Sequence, residues 1–162
     1  MNSKPLIQFI LVLCFVMSFA NPCTGEDTKT ALTVKNIAFN RSKDGIERIA
    51  LFCNQSCAPE LFSLEGENPR VVMDMKGVFL IQTKARNIST GGKFVKKVRS
   101  YLDKHTNILR IVLDMEPSKY YIVRPIQDPS GNYMLTINED TSSPRSQEKR
   151  ITILRPDLRP GK

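Results

Sequence analysis

Two carboxylates stand at the same place in two near-identical hexapeptides, Asp74 in Arg70-Val71-Val72-Met73-Asp74-Met75 and Asp114 in Arg110-Ile111-Val112-Leu113-Asp114-Met115. Paired acids are the equipment of glycoside hydrolysis, in which one carboxyl protonates the leaving oxygen and the other attacks or activates water. That chemistry needs the acids to flank a cleft, and the two-residue spacing of Asp114 and Glu116 carries no such information. A nucleophile fares no better. The one histidine, His105, sits among the turn residues Lys104, Thr106 and Asn107, and no serine or cysteine lies in a strand-turn-helix context. Gly66 and the pair Gly91-Gly92 belong to no phosphate-cradling pattern. The expectation is a protein that is not an enzyme and carries no cofactor.

What must position the two acids is the element that bears them. Basic, apolar, apolar, apolar, acidic, apolar reads as a strand, whose successive side chains point to opposite faces. Val71, Met73 and Met75 then share a core face, and Arg70, Val72 and Asp74 share the other; Ile111, Leu113 and Met115 split in the same way from Arg110, Val112 and Asp114. Within one strand each Arg stands ~13 Å from its own Asp, too far to pair. Side by side and antiparallel, the two strands would set Arg70 opposite Asp114 and Asp74 opposite Arg110, each cross-strand pair contributing ~0.2–1 kcal/mol. The charged side is then either a solvated frame for a core strand or a ridged binding surface.

More strands of this kind follow along the chain. Leu32 to Phe39, Glu47 to Cys53, Glu60 to Leu64, Tyr120 to Arg124 and Tyr133 to Ile137 combine apolar or β-branched residues in rough alternation, with turn residues between them. Lys76 to Gly92 is the least regular stretch and reads as a crossing between two halves, and Phe94 to Leu102 fits a strand or a helical turn. With no long amphipathic helix beyond the first twenty residues, the expected fold is an all-β sandwich. The order of elements also repeats at an offset of about sixty residues, Arg48–Phe52, Leu61–Leu64 and Arg70–Asp74 matching Arg110–Asp114, Tyr121–Val123 and Tyr133–Ile137. Two related small sheets with an internal pseudo-repeat are therefore expected.

Composition narrows the setting. Lys4, the apolar run Phe9 to Met17 and the small residues of Ser18-Phe19-Ala20 read as an export signal over residues 1–20, too short for the ~20 apolar residues of a spanning helix. Residues 21–32 form a polar lead, 33–139 one domain with its own core, and 140–162 a basic tail with six Lys and Arg against two acids after Asp140. Within that tail, Arg150 to Leu154 alternates enough to add an edge strand to its own sheet or a partner's. The whole sequence sets 24 Lys and Arg against 16 Asp and Glu, a net charge of +8, which favours an anionic partner. Nucleic acid is not expected, because the basic residues are scattered rather than interleaved with aromatics, and no membrane span is expected once the signal is removed. Cys53 and Cys57 could close a local disulfide if the chain turns at Asn54-Gln55, since a straight strand would hold their Cα atoms ~13 Å apart. Cys23 is then left over, and with only His105 beyond the cysteines no metal site is expected.

Between about Thr33 and Glu139 the segments "ERIALF", "NPRVVMDMKGV", "VKKVRSYL", "ILRIVLDM" and "YYIVRP" follow one another in order. In order and spacing, over roughly two-thirds of the chain, they resemble the AMIN domain, a non-catalytic targeting module found beside periplasmic cell-wall amidases and in type IV pilus secretins. The resemblance implies a β-sandwich of two related sheets, a periplasmic location and binding to peptidoglycan, with an envelope amidase, a secretin or a pilus component as a further partner. Carried over position by position, the family's exposed strand motifs fall on Arg70, Asp74, Arg99, Arg110 and Asp114. Arg48 takes the matching place in an earlier strand, where Phe52 stands instead of an acid. Arginine's fork of donors suits the carboxylates of peptide stems, and Asp accepts from hydroxyls and amides. The function so implied is localising or assisting a cell-envelope machine through wall binding. The alternative is a protein–protein assembly factor for a pilus or secretion system with little wall affinity.

Overall fold

The computed structural model describes residues 31–83, 86–141 and 150–155. The expected signal, nearly all of the polar lead, Cys23 and much of the basic tail lie outside them. Among the described residues the regular elements are strands: β1 (Leu32–Arg41), β2 (Glu47–Cys53), β3 (Glu60–Leu64), β4 (Arg70–Met75), β5 (Val78–Ile81), β6 (Asn87–Ser89), β7 (Val95–Asp103), β8 (Ile108–Met115), β9 (Tyr121–Gln127), β10 (Tyr133–Glu139) and β11 (Ile151–Ile153). They form a six-stranded sheet in the order β11-β9-β10-β2-β1-β5 and a five-stranded sheet in the order β3-β4-β8-β7-β6. The two pack together as a β-sandwich.

The core lies between them. Ile49, Leu51, Leu135 and Ile137 come from one sheet and Val71, Met73, Ile111 and Leu113 from the other, all fully buried in one cluster. Each contributes ~1.5–3 kcal/mol by leaving water. The alternation of the hexapeptides is realised in β4 and β8, which pair antiparallel with Arg70 opposite Asp114 and Asp74 opposite Arg110.

The internal repeat is visible in the strand order, where β9-β10-β2-β1 of one sheet corresponds to β3-β4-β8-β7 of the other. Ile49 pairs with Leu135 as Ile111 pairs with Met73, so equivalent positions differ by 62 (111 − 49 and 135 − 73). Each half places one hairpin, β1-β2 or β7-β8, in one sheet and then crosses to place a second, β3-β4 or β9-β10, in the other.

Three local outcomes settle or revise the expectations. β7 is a strand through Asp103, which resolves the segment that alternation left open. β9 continues past Arg124 through Pro125, a residue that cannot donate to a ladder. Val123 uses its outer carbonyl to accept from Leu154, and Pro125, two residues on, turns its missing N–H to the same side, beyond the end of β11. The third concerns the tail. Ile151–Ile153 pairs parallel with β9, and Ile151 is fully buried, so the domain does not end at residue 139. Glu65 holds this strand in place by accepting from the backbone N–H groups of Arg150 and Ile151 at 3.1 and 3.3 Å.

Cys53 and Cys57 are joined by a disulfide, with Cα atoms 6.4 Å apart. The turn that permits it is held by Asn54, whose amide accepts from the Thr33 N–H at 2.8 Å and donates to the Ala31 carbonyl at 2.9 Å, extending the β1-β2 ladder with a side chain. Closing so short a loop stabilises by about 2 kcal/mol through the unfolded chain. Urea unfolding with and without reductant is expected to show a loss of that size on reduction. Coincident curves would show that the bridge contributes nothing.

Candidate functional site

On the outer face of the five-stranded sheet the strand registers set side chains in rows: Leu64, Arg70, Asp114 and Lys97; then Phe62, Val72, Val112 and Arg99; then Glu60, Asp74, Arg110 and Tyr101. Five of the six residues singled out from the sequence, Arg70, Asp74, Arg99, Arg110 and Asp114, therefore share one face. Val72 lies among them and is 2 % exposed, so the charged side chains surround a buried floor rather than a flat solvated sheet.

The charges pair in forks. Arg110 donates from Nε to Asp74 Oδ1 at 2.8 Å and from Nη2 to Oδ2 at 2.6 Å. Arg99 does the same with Asp114, at 3.0 and 2.5 Å. Both oxygens of each acid are thus occupied, a state suited to fixing arginines and unsuited to passing protons. The Arg110 hydrogen bonds, aided by its charge and that of Lys76, hold the Asp74 carboxyl below the usual range against the opposing pull of desolvation.

Because the folded value is depressed, the stability contributed by Asp74 is present above the ordinary carboxylate range near pH ~4 and is lost as pH falls through the folded value. Asp74→Asn is expected to cost ~0.2–1 kcal/mol at neutral pH, and thermal melts of the two proteins should converge below the range where Asp74 titrates. A gap that persists unchanged at acid pH would assign the effect to something other than the ion pair.

Arg70 breaks the expected pattern. It stands opposite Asp114 in the register, yet Arg99 on the neighbouring strand takes both Asp114 oxygens. The cross-strand pair anticipated for Arg70 does not form: among the described residues no acceptor meets its Nε, which is buried.

Lys96 joins the site through a bulge. The β7-β8 register steps from Val95 opposite Met115 directly to Lys97 opposite Asp114, leaving Lys96 as the extra residue. Its Nζ reaches Glu116 Oε2 at 2.9 Å and the Gly92 carbonyl at 3.3 Å, and the hydrogen bond it shares with Glu116 is the main reason that carboxyl sits below its ordinary value. Arg70, Lys96, Arg99 and Asp114 line a groove of about 570 Å³, together with Asn68, Pro69, Met115 and Pro117. Sequence reading missed Lys96. The only signal was the unresolved alternation of Phe94 to Leu102, which is what a bulged strand produces.

Arg48 lies elsewhere. It is in β2, opposite Asn40 and Thr136, in the six-stranded sheet. Its position is 62 residues before Arg110, so the two are equivalents in the repeat, carried by different sheets and unable to serve one surface. Phe52, in the place equivalent to Asp114, is 39 % exposed.

The residue that sequence reading passed over entirely is Glu47, the one buried charged side chain among the described residues. Its carboxylate, on the six-stranded sheet, accepts from three consecutive backbone N–H groups leading into β7: Lys93, Phe94 at 3.2 Å and Val95 at 2.7 Å. The bulge that presents Lys96 begins one residue later. Glu139, held below the ordinary range by hydrogen bonds from Lys93 and Lys119, ties down the same loop from outside.

No group of three metal-ligating side chains comes together among the described residues. The arrangement offers guanidinium and ammonium donors beside a groove, and carboxylates already engaged. His105 stays in its turn, its backbone N–H donating to Asp103 at 2.9 Å. No protein-family model matches the chain, and no curated protein is significantly similar to it.

Proposed function

We propose that this domain is an exported, non-catalytic module that binds peptidoglycan through the outer face of its five-stranded sheet and so localises or assists a cell-envelope machine. The observation that carries the reading is the gathering of Arg70, Arg99, Arg110, Asp74 and Asp114 on that one face, beside a groove with a basic lining. Peptide stems bear carboxylates and amides, and glycan strands bear hydroxyls, which such a surface can meet with charge-assisted hydrogen bonds. The sequence resemblance to AMIN domains points to the same ligand and to a periplasmic setting.

Co-sedimentation of the purified domain with insoluble peptidoglycan tests it. Wild type is expected to pellet, replacing Arg70 and Arg110 with Ala to release most of it, and Arg48→Ala, which removes an equal charge from the opposite sheet, to pellet as wild type does. Wild-type protein that stays in the supernatant would sink the proposal. A truncation that asks whether the basic tail is responsible must keep β11 and stop after Arg155, because Ile151 is core; tail-driven retention should collapse as salt rises.

The second reading, an assembly factor that contacts another protein, is favoured by one observation. Phe79, Leu80 and Tyr101 are 59, 50 and 66 % exposed, and all three line a separate depression of about 260 Å³ beside β5. Wall-independent capture lost on Phe79→Ser would favour it.

A further inference from the structure

We infer that Arg70 is the anchor for a free carboxylate at the end of a short peptide, bound in the groove between it and Lys96. The inference rests on the peptidoglycan reading and names the chemical group first recognised. Three cations face the groove, and two of them are already committed. Arg99 spends its fork on both oxygens of Asp114, and Lys96 is held by Glu116 and the Gly92 carbonyl. Among the described residues Arg70 alone of the three meets no partner, and its Nε lies buried with no acceptor.

A buried charged donor without an acceptor is a costly arrangement that folded proteins rarely keep without a use. Here it persists because Arg99 outcompetes it for Asp114. That competition is built into the register, since β7 sets Arg99 diagonally across from Asp114 while β4 sets Arg70 directly opposite. The Nε is closed to solvent, so a ligand entering through the groove meets Arg70 at its terminal Nη groups.

The shape of the donor selects the acceptor. The two Nη groups of a guanidinium form a planar two-point fork that matches the two oxygens of a carboxylate. Pro69, Pro117 and Met115 line the same groove and suit an aliphatic residue adjoining the carboxylate. A free phosphate would share the oxyanion chemistry but has no carbon to place against those walls. A glycan hydroxyl would leave Arg70 charged and without a counterion.

Nuclear magnetic resonance titration of the whole domain reads this directly, by following the Arg70 Nε–H signal with three probes: N-acetyl-D-alanyl-D-alanine, its C-terminal amide, and inorganic phosphate. The free acid is expected to shift that signal saturably, and the amide and phosphate to bind at least about tenfold more weakly. Arg70→Ala should abolish the response of neighbouring backbone signals, and Arg70→Lys, which keeps the charge and loses the fork, should not restore it. Equal binding of acid and amide, tighter binding of phosphate, or full rescue by lysine would each overturn the inference. Wild-type protein that pellets with peptidoglycan but ignores the free acid would remove the anchor and leave the proposed function standing. A saturable response to the acid without pelleting would keep the anchor and remove the function.

Discussion

Glu47→Ala is expected to lower the unfolding free energy by about 3–5 kcal/mol, the largest effect of any single truncation in the domain. The carboxylate is fully buried and accepts from the backbone N–H groups of Lys93, Phe94 and Val95. Alanine leaves three donors without acceptors, and the two that are buried, on Phe94 and Val95, each cost ~1–3 kcal/mol, offset in part because a charge no longer has to be buried. Glu47→Gln keeps one acceptor oxygen but turns an amide NH₂ toward the same donors, and about 2 kcal/mol is expected to be lost. Against a total stability of ~5–15 kcal/mol for a domain of this kind, that loss is between about a fifth and the whole of it. Urea denaturation followed by circular dichroism measures both; an alanine variant within about 1 kcal/mol of wild type would show that the loop finds other acceptors. The effect should also reach the groove. The three N–H groups lead straight into the bulge that aims Lys96, so Glu47→Gln, if folded, should retain less peptidoglycan than wild type although residue 47 is inaccessible to a polymer.

Gly92→Ala attacks the same junction from the other side, and a loss of about 2–3 kcal/mol is expected. A Cβ at position 92 would lie 2.5 Å from the Val95 carbonyl oxygen and 2.8 Å from both Glu47 oxygens. Neither neighbour can yield cheaply, since one is backbone entering a strand and the other is pinned by its hydrogen bonds. Gly91 supplies the control. It adopts φ +61° with nothing near its missing Cβ, so alanine there meets only the left-handed backbone penalty, about 1–2 kcal/mol. The two costs have different origins and should respond differently to a second mutation. In a Glu47→Gln background the Gly92→Ala penalty should change, because the two residues touch, while that of Gly91→Ala should add independently. Equal additivity for both glycines would argue against the clash.

Much of the fold was legible because the signals that specify it are local. The alternation of Arg70 to Met75 and Ile108 to Met115 sets the strand limits, the core faces and even the register in which Asp74 meets Arg110. The doubled order of elements was legible for the same reason, since each half repeats its own pattern of apolar residues. What escaped is what depends on a third element. Two strands alone pair Arg70 with Asp114, and the third, β7, brings the competitor Arg99. Arg48 matched Arg110 in pattern, but repetition does not say that the copy is carried on the opposite sheet. Glu47 reads as an ordinary polar residue at the start of a strand, because its partners are backbone N–H groups 46 to 48 residues away, and backbone groups have no letter in a sequence. The alternation of Arg150 to Leu154 was legible as an edge strand, but three residues say nothing of which strand they join or that Ile151 is core.

The interleaving of the two halves has a kinetic consequence. The middle ladder of each sheet joins one half to the other, β2 to β10 and β4 to β8, so that Leu51 must find Tyr133 and Val71 must find Leu113. The hairpins β1-β2, β3-β4, β7-β8 and β9-β10 can form early, but each is only an edge until a hairpin from the distant half arrives. Loop-closure entropy is therefore spent before most of the apolar burial returns it, and refolding should be slow, with a rate limited by these long-range meetings. A nascent chain, likewise, cannot complete the five-stranded sheet until β8 has been synthesised, or the six-stranded sheet until β11 has.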